Sequence, residues 1–190
     1  MRILGVDIGG TGIKAAVIET QTGELISEHK RIPTPQPATP ENIASSLAQL
    51  VTELAWSGPI GCGFPATVHH GVAYSASNID PSWINTDAQT LFSQVTSRPC
   101  FVVNDADAAG MAEMRFGTGQ NNRGVTILLT IGTGIGSAVF VNGQLHPNTE
   151  LGHVRFGDGI AERYCAESVR IKQNLSWQEW GTRFNEYLNH

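Results

Sequence analysis

The segment DIGGTGIK, residues 7–14, places a carboxylate two positions before a glycine turn. Asp7 ends an apolar run, Gly9 and Gly10 follow it, and Thr11 adds a hydroxyl group. Glycine lets the backbone approach an anion closely and turn its N–H groups toward it, and a carboxylate at such a turn can hold Mg²⁺ through water. A β-turn capped by Asp7 would account for the same residues without a ligand. The segment therefore predicts either a phosphate loop or an ordinary hairpin turn.

The same pattern returns later in the chain. Residues 6–17 are VDIGGTGIKAAV and residues 129–140 are LTIGTGIGSAVF, so Gly132, Thr133 and Gly134 repeat the first glycine turn. We interpret the repeat as an internal duplication of one strand–turn–strand unit. Two such units facing each other would form a cleft with a glycine turn at each side. The repetition favours the phosphate interpretation over a pair of simple turns.

Asn104 and Asp105 end the apolar run CFVVND. In α/β folds the carboxyl ends of strands open into ligand crevices, so two acceptors at this point indicate a site. Asp105 could take the proton of a substrate hydroxyl that attacks phosphorus. One of the two residues could instead cap the helix that we predict from Ala106. Both can hold, since Asn104 or Asp107 can cap the helix while Asp105 does chemistry.

The segment TELGH contains two further polar side chains. Glu150 and His153 are three positions apart with a glycine between them, and both could hydrogen-bond vicinal hydroxyls of a sugar. Taken alone, such a pair is more typical of a surface loop. The pair His69 and His70 is a weak metal candidate, because adjacent side chains on an extended segment point in opposite directions.

Hydrophobic periodicity predicts a mixed sheet with helices packed on it, in the order β-β-β-α-β-α-β-α. The expected strands include residues 2–7, 13–18, 25–30, 59–66 and 100–105, and the expected helices begin at Pro40, near residue 87 and at Ala106. Thr39 is the predicted N-cap of the first helix. Residues 67–85 are expected to form a long loop in which Trp83 lines a cleft.

The polar, glycine-rich segment 117–124 is the expected domain boundary. We predict an N-terminal sugar and phosphate domain at residues 1–116 and a C-terminal domain with the second phosphate loop at residues 117–190. Residues 160–190 are expected to form two helices. Ser176 and Glu179 have capping-box spacing at the start of the second helix.

Composition argues against several classes of protein. The 190 residues carry a formal net charge of −5 and no basic block, which argues against nucleic-acid binding. No apolar run approaches the roughly 20 residues that cross a bilayer, and we expect neither a membrane partner nor a signal peptide. Three scattered cysteines without a CxxC pair indicate reduced thiols in the cytoplasm and no thiolate zinc site.

Together these segments resemble the ROK family of sugar kinases, most of all its polyphosphate glucokinase branch. The matching pieces occur in the family's order over nearly the whole chain: DIGGTGIK, GFPATVHHGV, SASNIDPSW, VVNDADAAGMAEMRFG, LTIGTGIGSAVFVNGQL and ELGH. The resemblance implies an α/β fold of the actin-like ATPase (ribonuclease H-like) type, with two domains of mixed sheet and helices around a cleft. It also implies phosphoryl transfer from ATP or polyphosphate, with Mg²⁺, to the 6-hydroxyl of glucose or a close hexose.

The resemblance also assigns roles to single residues. Asp105 is the expected general base. The expected sugar ligands are Asn78, Asn104, Glu150, His153 and Glu162. The expected phosphate-binding residues are Asp7, Gly9, Gly10, Thr11, Gly132, Thr133 and Gly134.

Two features depart from the family pattern. The segment FGDGIAERYC holds Cys165 alone where many members carry a cysteine-rich zinc motif, so we expect no structural zinc. The chain stops at His190, before the family's adenosine loop, so we expect a second domain that is truncated at its C-terminus. Apolar surface left by missing strands predicts a homodimer. A hexose kinase and a non-catalytic sugar-binding fragment both remain open, as does the choice between ATP and polyphosphate.

Overall fold

The computed structural model describes residues 1–77 and 79–190. Contacts between Cα atoms divide these residues into two compact units, Met1–Gln120 (unit 1) and Asn121–His190 (unit 2). In the part of the chain that the structure describes, every helix is too short or too polar to cross a membrane.

Unit 1 alternates strands and helices after an initial three-stranded meander. Its elements are β1 (Arg2–Ile8), β2 (Gly12–Glu19), β3 (Lys30–Pro33), α1 (Pro40–Glu53), β4 (Ile60–Phe64), β5 (Val68–His69), β6 (Val72–Ala73), a 3₁₀ turn (Pro81–Trp83), β7 (Thr86–Asp87), α2 (Ala88–Thr96), β8 (Cys100–Asn104) and α3 (Asp105–Phe116). The main sheet has the order β3-β2-β1-β4-β8, and β5, β6 and β7 form a small second sheet.

Three strands of the main sheet, β1, β4 and β8, run parallel, so their carboxyl ends lie at one edge. Asp7 of β1 pairs with Gly63 of β4, and Gly63 pairs with Val103 of β8. This register brings the first glycine turn to the same edge as Asn104 and Asp105. Open α/β sheets bind their ligands at this edge.

Helix α1 begins where its capping residues predict. The Thr39 side chain accepts a hydrogen bond from the Asn42 backbone N–H, at 3.4 Å, and Pro40 occupies the first turn. Ile43 and Leu47 recur at helical spacing and are fully buried against the sheet. The predicted N-cap is confirmed.

Trp83 lies in the core of unit 1, and the prediction that it lines a cleft is wrong. Its ring centroid is 4.6 Å from that of Phe64 and 5.7 Å from that of Phe92, and its surface is 0% exposed. The indole N–H donates to the Ala38 carbonyl at 2.8 Å, so the ring is buried without an unsatisfied polar group.

The third strand lies further along the chain than the sequence predicts. Residues 25–30 were expected, whereas β3 pairs with β2 over Lys30–Pro33 and Leu25 makes an isolated bridge to Ile18. The Val17 N–H donates to the Ser27 hydroxyl at 2.9 Å. A side chain therefore takes the place of a ladder carbonyl at this point, and regular pairing begins later.

Unit 2 consists of a small sheet followed by short helices. Its elements are β9 (Val125–Ile131), β10 (Ile135–Val141), β11 (Gln144–His146), a 3₁₀ turn (Leu151–His153), β12 (Arg155–Phe156), β13 (Gly159–Ile160), α4 (Glu162–Cys165), α5 (Glu167–Lys172) and α6 (Trp177–Leu188). The sheet order is β11-β10-β9. Its buried core is formed by Ile135, Ala161, Cys165, Ala166 and Tyr187.

The C-terminal segment differs in part from the two predicted helices. Ala166 has φ −64° and ψ 159°, an extended conformation that separates α4 from α5, so three helices form. The predicted capping box at Ser176 and Glu179 is present at the start of α6. The predicted start of the last helix is therefore confirmed. The break between α4 and α5 falls at Ala166, a residue type that gives no indication of a helix end in the sequence.

Candidate active site

The first glycine loop, residues 9–12, turns carbonyl oxygens toward the protein. The Gly9 N–H donates to the Gly12 carbonyl at 3.0 Å. Thr34 donates through its hydroxyl to the Gly9 carbonyl at 2.5 Å and through its N–H to the Thr11 carbonyl at 3.4 Å. Because C=O and N–H point in opposite directions in a trans peptide, the N–H groups following Gly9 and Thr11 face away from Thr34. This geometry suits an anion on the outer side of the loop.

Asp7 lies at the mouth of this loop beside a cation. The Lys14 ammonium is 3.1 Å from Asp7 Oδ2, and both side chains are about half exposed. Mg²⁺ that accompanies a phosphate needs one or two protein carboxylates, so Asp7 fits such an ion. Within residues 1–77 and 79–190, no group of three or more His, Cys, Asp or Glu side chains could hold a metal unaided.

Asp105 is the first residue of α3, at the positive end of the helix dipole. Its Oδ1 accepts the Ala106 N–H at 2.8 Å. Its Cα lies 3.5 Å from the point where Gly63 would carry a side chain. Asp7 and Gly63 are cross-strand partners on one face of the sheet, so Asp7 and Asp105 flank a position without side-chain bulk.

Asn104 is buried and caps α3. Its Oδ1 accepts the Asp107 N–H at 3.0 Å, and its Nδ2 donates to the Ala66 carbonyl at 3.0 Å. The capping alternative is thus confirmed for Asn104, and β8 ends one residue earlier than expected because Asp105 is already helical. A sugar contact by the remaining amide N–H stays a prediction.

The second glycine loop, residues 132–134, has a similar internal bond and a different neighbour. The Gly132 N–H donates to the Gly134 carbonyl at 3.0 Å. Ser168 of α5 donates through its N–H to the Gly132 carbonyl at 3.1 Å and through its hydroxyl to the Thr133 carbonyl at 2.6 Å. The carbonyls of this loop are again held by the surrounding protein.

Three of the predicted sugar ligands lie together in unit 2. His153 Nε2 is 3.3 Å from Glu162 Oε1, and His153 Nδ1 is 3.6 Å from Glu150 Oε2. The second carboxylate oxygen of Glu162 accepts the Ile135 N–H at 3.2 Å. One imidazole therefore stands between two carboxylates beside the end of the second glycine loop. Such a set of donors and acceptors can hydrogen-bond several hydroxyl groups at once.

Strand β10 holds the turn that carries Glu150 and His153 through hydrogen bonds of the Ser137 side chain. The buried Ser137 hydroxyl accepts the Leu151 N–H at 2.9 Å and donates to the Thr149 carbonyl. A Cβ on Gly152 would lie 2.1 Å from the Ile135 carbonyl oxygen, so the turn approaches β10 closely. Gly152 is required here because any side chain would collide with backbone.

Two other sequence predictions have different outcomes. Asn78 lies outside the described residues. His69 and His70 were expected to point apart, which is wrong: His70 has φ 49°, so the segment is not extended there, and the two rings lie 4.2 Å apart.

The three cysteines, Cys62, Cys100 and Cys165, are free and buried. Burial raises the pKa of Cys165 to about 11, and burial also raises the pKa of Cys62 and of Cys100. The thiolate is the reactive form of cysteine, so these groups are poor nucleophiles at neutral pH.

Sequence reasoning missed the residues that hold the two loops. Thr34 and Ser168 bind loop carbonyls, and Gly63 and Gly152 provide room for neighbouring groups. Each acts across many positions of the chain, where spacing and periodicity give no signal. Thr34 lies in the proline-rich segment PTPQPATP, residues 33–40, whose prolines predict a loop and give no sign of a contact with the glycine turn.

Comparisons with known proteins show the family that the chain resembles. The model of the ROK family matches residues 3–176. A polyphosphate glucokinase of Mycobacterium tuberculosis is 46% identical over 177 residues, which cover 93% of this chain and 67% of the relative. A glucokinase of Streptomyces coelicolor is 36% identical over 169 residues, which cover 83% of this chain and 51% of that protein.

Two solved structures are similar over most of the chain. An inorganic polyphosphate/ATP-glucomannokinase from Arthrobacter sp. strain KM has a TM-score of 0.94 and 43% identity, covering 98% of this chain and 77% of that one. A ROK family glucokinase from Streptomyces griseus, solved with glucose and AMPPNP, has a TM-score of 0.80 and 29% identity, covering 90% and 59%. The predicted α/β fold of the actin-like ATPase type is confirmed. With the family model matched over residues 3–176 and a relative at 46% identity, the chain belongs to the ROK family.

Proposed function

We propose that the chain is a hexose kinase that transfers a phosphoryl group from ATP or polyphosphate to the 6-hydroxyl of glucose. Membership of the ROK family and relatives named as polyphosphate glucokinases and glucokinases support this proposal. The observation that carries it is the convergence of Glu150, His153 and Glu162 beside a glycine loop. A cluster with several acceptors and an imidazole suits a polyhydroxylated ligand.

Asp105 is the general base in this mechanism. It takes the proton from the attacking sugar hydroxyl, so its carboxylate must be accessible and ionised. Its exposed position at the start of α3 and the absence of a side chain on Gly63 support that role. Asn104, Glu150, His153 and Glu162 bind the hexose, together with Asn78.

The two glycine loops bind the phosphates of the donor. The Gly9 and Gly132 N–H groups close their own loops. The N–H groups of the other loop residues, Gly10, Thr11, Thr133 and Gly134, stabilise negative charge that develops during transfer, because they are already oriented and cost little to reorganise. Asp7 would hold the Mg²⁺ that comes with the donor. When bound, that ion neutralises charge on the phosphoryl oxygens.

Both donors have support among the relatives. The Arthrobacter enzyme is named for both polyphosphate and ATP, and the Streptomyces griseus enzyme was solved with the ATP analogue AMPPNP. We propose polyphosphate and ATP as alternative phosphoryl donors. We further propose a cytoplasmic location, on the basis of the three free thiols, and no nucleic-acid partner, on the basis of the net charge of −5. The exposed side chains of Phe101 and Val125 lie on edge strands of the two sheets, and on this basis we propose a homodimer.

The test is a coupled assay of glucose 6-phosphate formation by the full chain, with ATP and with polyphosphate, beside calorimetric titration of glucose. We expect saturable glucose binding and phosphorylation with at least one donor. Glucose binding without phosphorylation by either donor would instead support a sugar-binding module. Absence of glucose binding would contradict the proposal.

A further inference from the structure

Gly134 is the point at which the second glycine loop meets the proposed sugar ligands. A Cβ on Gly134 would lie 2.3 Å from Glu162 Oε2 and 3.2 Å from Glu162 Cδ. Contacts of Cβ atoms below 3.0 Å are essentially never found in proteins. The Glu162 carboxylate therefore fills the space that any side chain at position 134 would need. At Gly132, by contrast, no described atom lies within 4 Å of the same point.

The Glu162 carboxylate is fixed on both oxygens. Oε2 accepts the Ile135 N–H at 3.2 Å, and Oε1 lies 3.3 Å from His153 Nε2. The Glu162 side chain is 17% exposed. Gly134 precedes Ile135, and its missing side chain is what allows the carboxylate to reach that N–H group.

We propose that Gly134 is a positioning residue for the hexose. By leaving room for Glu162, it sets the carboxylate and, through it, the imidazole of His153 in the orientation that binds sugar hydroxyls. This inference rests on the proposed function, because that function assigns Glu162 and His153 to the hexose. The missing side chain of Gly134 would thus affect the affinity for sugar, whereas its backbone would contact phosphate.

The structure also predicts how an alanine at this position would be accommodated. The colliding group is the end of a flexible side chain, so Glu162 moves and the backbone stays in place. The carboxylate then loses the Ile135 N–H and its contact with His153. Losing hydrogen bonds to a charged group corresponds to a tenfold to hundredfold weaker glucose affinity, by order of magnitude. The thermal midpoint is expected to change little.

The experiment compares Gly134→Ala with Gly159→Ala in the full chain by calorimetric titration of glucose. Gly159 lies in the same unit, and no described atom lies within 4 Å of its Cβ position. We expect a roughly tenfold to hundredfold loss of affinity for Gly134→Ala and wild-type affinity for the control. In a Glu162→Ala background, Gly134→Ala should cost no further affinity. A wild-type dissociation constant for Gly134→Ala, or full additivity of the two changes, would overturn the inference.

A second measurement tests the hydrogen bond between the Ile135 N–H and Glu162 in the absence of sugar. The Ile135 N–H donates to Glu162 Oε2, so its exchange with solvent should be slow in the wild type. Exchange should be faster in Gly134→Ala and in Glu162→Ala, and unchanged in Gly159→Ala. Wild-type exchange of the Ile135 amide in Gly134→Ala would refute the positioning role. If the wild type binds no glucose, the proposed function fails, while this amide still decides whether Gly134 positions Glu162.

Discussion

The two glycine hairpins have the same strand–turn–strand construction and different surroundings. In the first, Ile8 pairs with Ile13 across residues 9–12. In the second, Ile131 pairs with Ile135 across residues 132–134, a loop that is one residue shorter. Each loop closes with a 3.0 Å backbone hydrogen bond. The predicted repeat of strand, glycine turn and strand is therefore present in both units.

The difference lies in what stands beside each loop. At the mouth of the first hairpin, the cross-strand pair is Asp7 and Lys14, whereas Thr130 and Gly136 pair at the corresponding place in the second. Charge is thus available at the first loop, where Mg²⁺ and phosphate would need it. The second loop has Glu162 at its end instead. Under the proposed function, the same construction would serve the charge of the donor in unit 1 and would adjoin the sugar ligands in unit 2.

Among the substitutions that test this difference between the two units, we expect the largest loss of stability from Gly152→Ala in unit 2. Gly152→Ala would place Cβ 2.1 Å from the Ile135 carbonyl, a backbone atom that cannot move aside as Glu162 can. We expect a loss of about 3 kcal/mol or more in the free energy of unfolding. Urea denaturation followed by tryptophan fluorescence measures it.

The matched variant in unit 1 is Gly63→Ala. There the new Cβ would lie 3.5 Å from Asp105 Cα, an ordinary van der Waals contact. A loss within about 1 kcal/mol is expected. Equal stability losses in the two variants would show that the close approach at Gly152 is not special.

The next effect concerns the charged mouth of the first hairpin. Asp7→Asn keeps the shape of the side chain and removes the charge that would hold Mg²⁺, so we expect turnover to fall by roughly tenfold to a hundredfold, with glucose affinity unchanged. Initial rates at varied Mg²⁺ should show a higher requirement for the ion.

The control for this variant is Lys14→Ala, which removes the exposed ion pair and leaves the carboxylate. Exposed pairs contribute about 0–1 kcal/mol, so its stability should change little. Equal loss of turnover in both variants would mean that the ion pair matters, and not the Asp7 charge.

A smaller effect concerns the response of a buried thiol in unit 2 to alkali. Burial raises the pKa of Cys165 from the ordinary thiol value of 9.0 to about 11. The unfolded chain therefore releases this proton first as pH rises, and the stability that this thiol contributes is constant below pH 9 and is lost between pH 9 and 11. The contribution is on the order of 1–3 kcal/mol.

Urea midpoints across this pH range test the expectation. The slope should be shallower in Cys165→Ala, which removes the titrating thiol. An unchanged slope in that variant would exclude Cys165 as a source of the alkaline instability.

Local signals predicted much of this fold. Thr39 and Pro40 located the start of α1, Ser176 and Glu179 located α6, and the polar end of CFVVND located the junction of β8 and α3. Each of these rests on neighbours within a few positions of the chain. Such signals survive folding because caps and strand ends are satisfied locally.

Features set by distant parts of the chain could not be predicted in this way. The two-residue strands β5, β6 and β7 are too short for periodicity, and the Ser27 hydroxyl displaced the third strand. The contact between Gly134 and Glu162 joins residues 28 positions apart. The sequence pattern predicts that Gly134 gives an anion access to the backbone. The structure adds a second reason for glycine at this position, which is that the Glu162 carboxylate fills the space of a side chain.

The central claim, that the chain is a kinase with Asp105 as its base, is tested most directly by Asp105→Asn. The variant keeps the size of the side chain and removes its ability to accept the proton. We expect glucose phosphorylation to fall by about a hundredfold to ten-thousandfold with either donor, while the glucose dissociation constant stays within about twofold of the wild type. Wild-type turnover in Asp105→Asn would contradict the account.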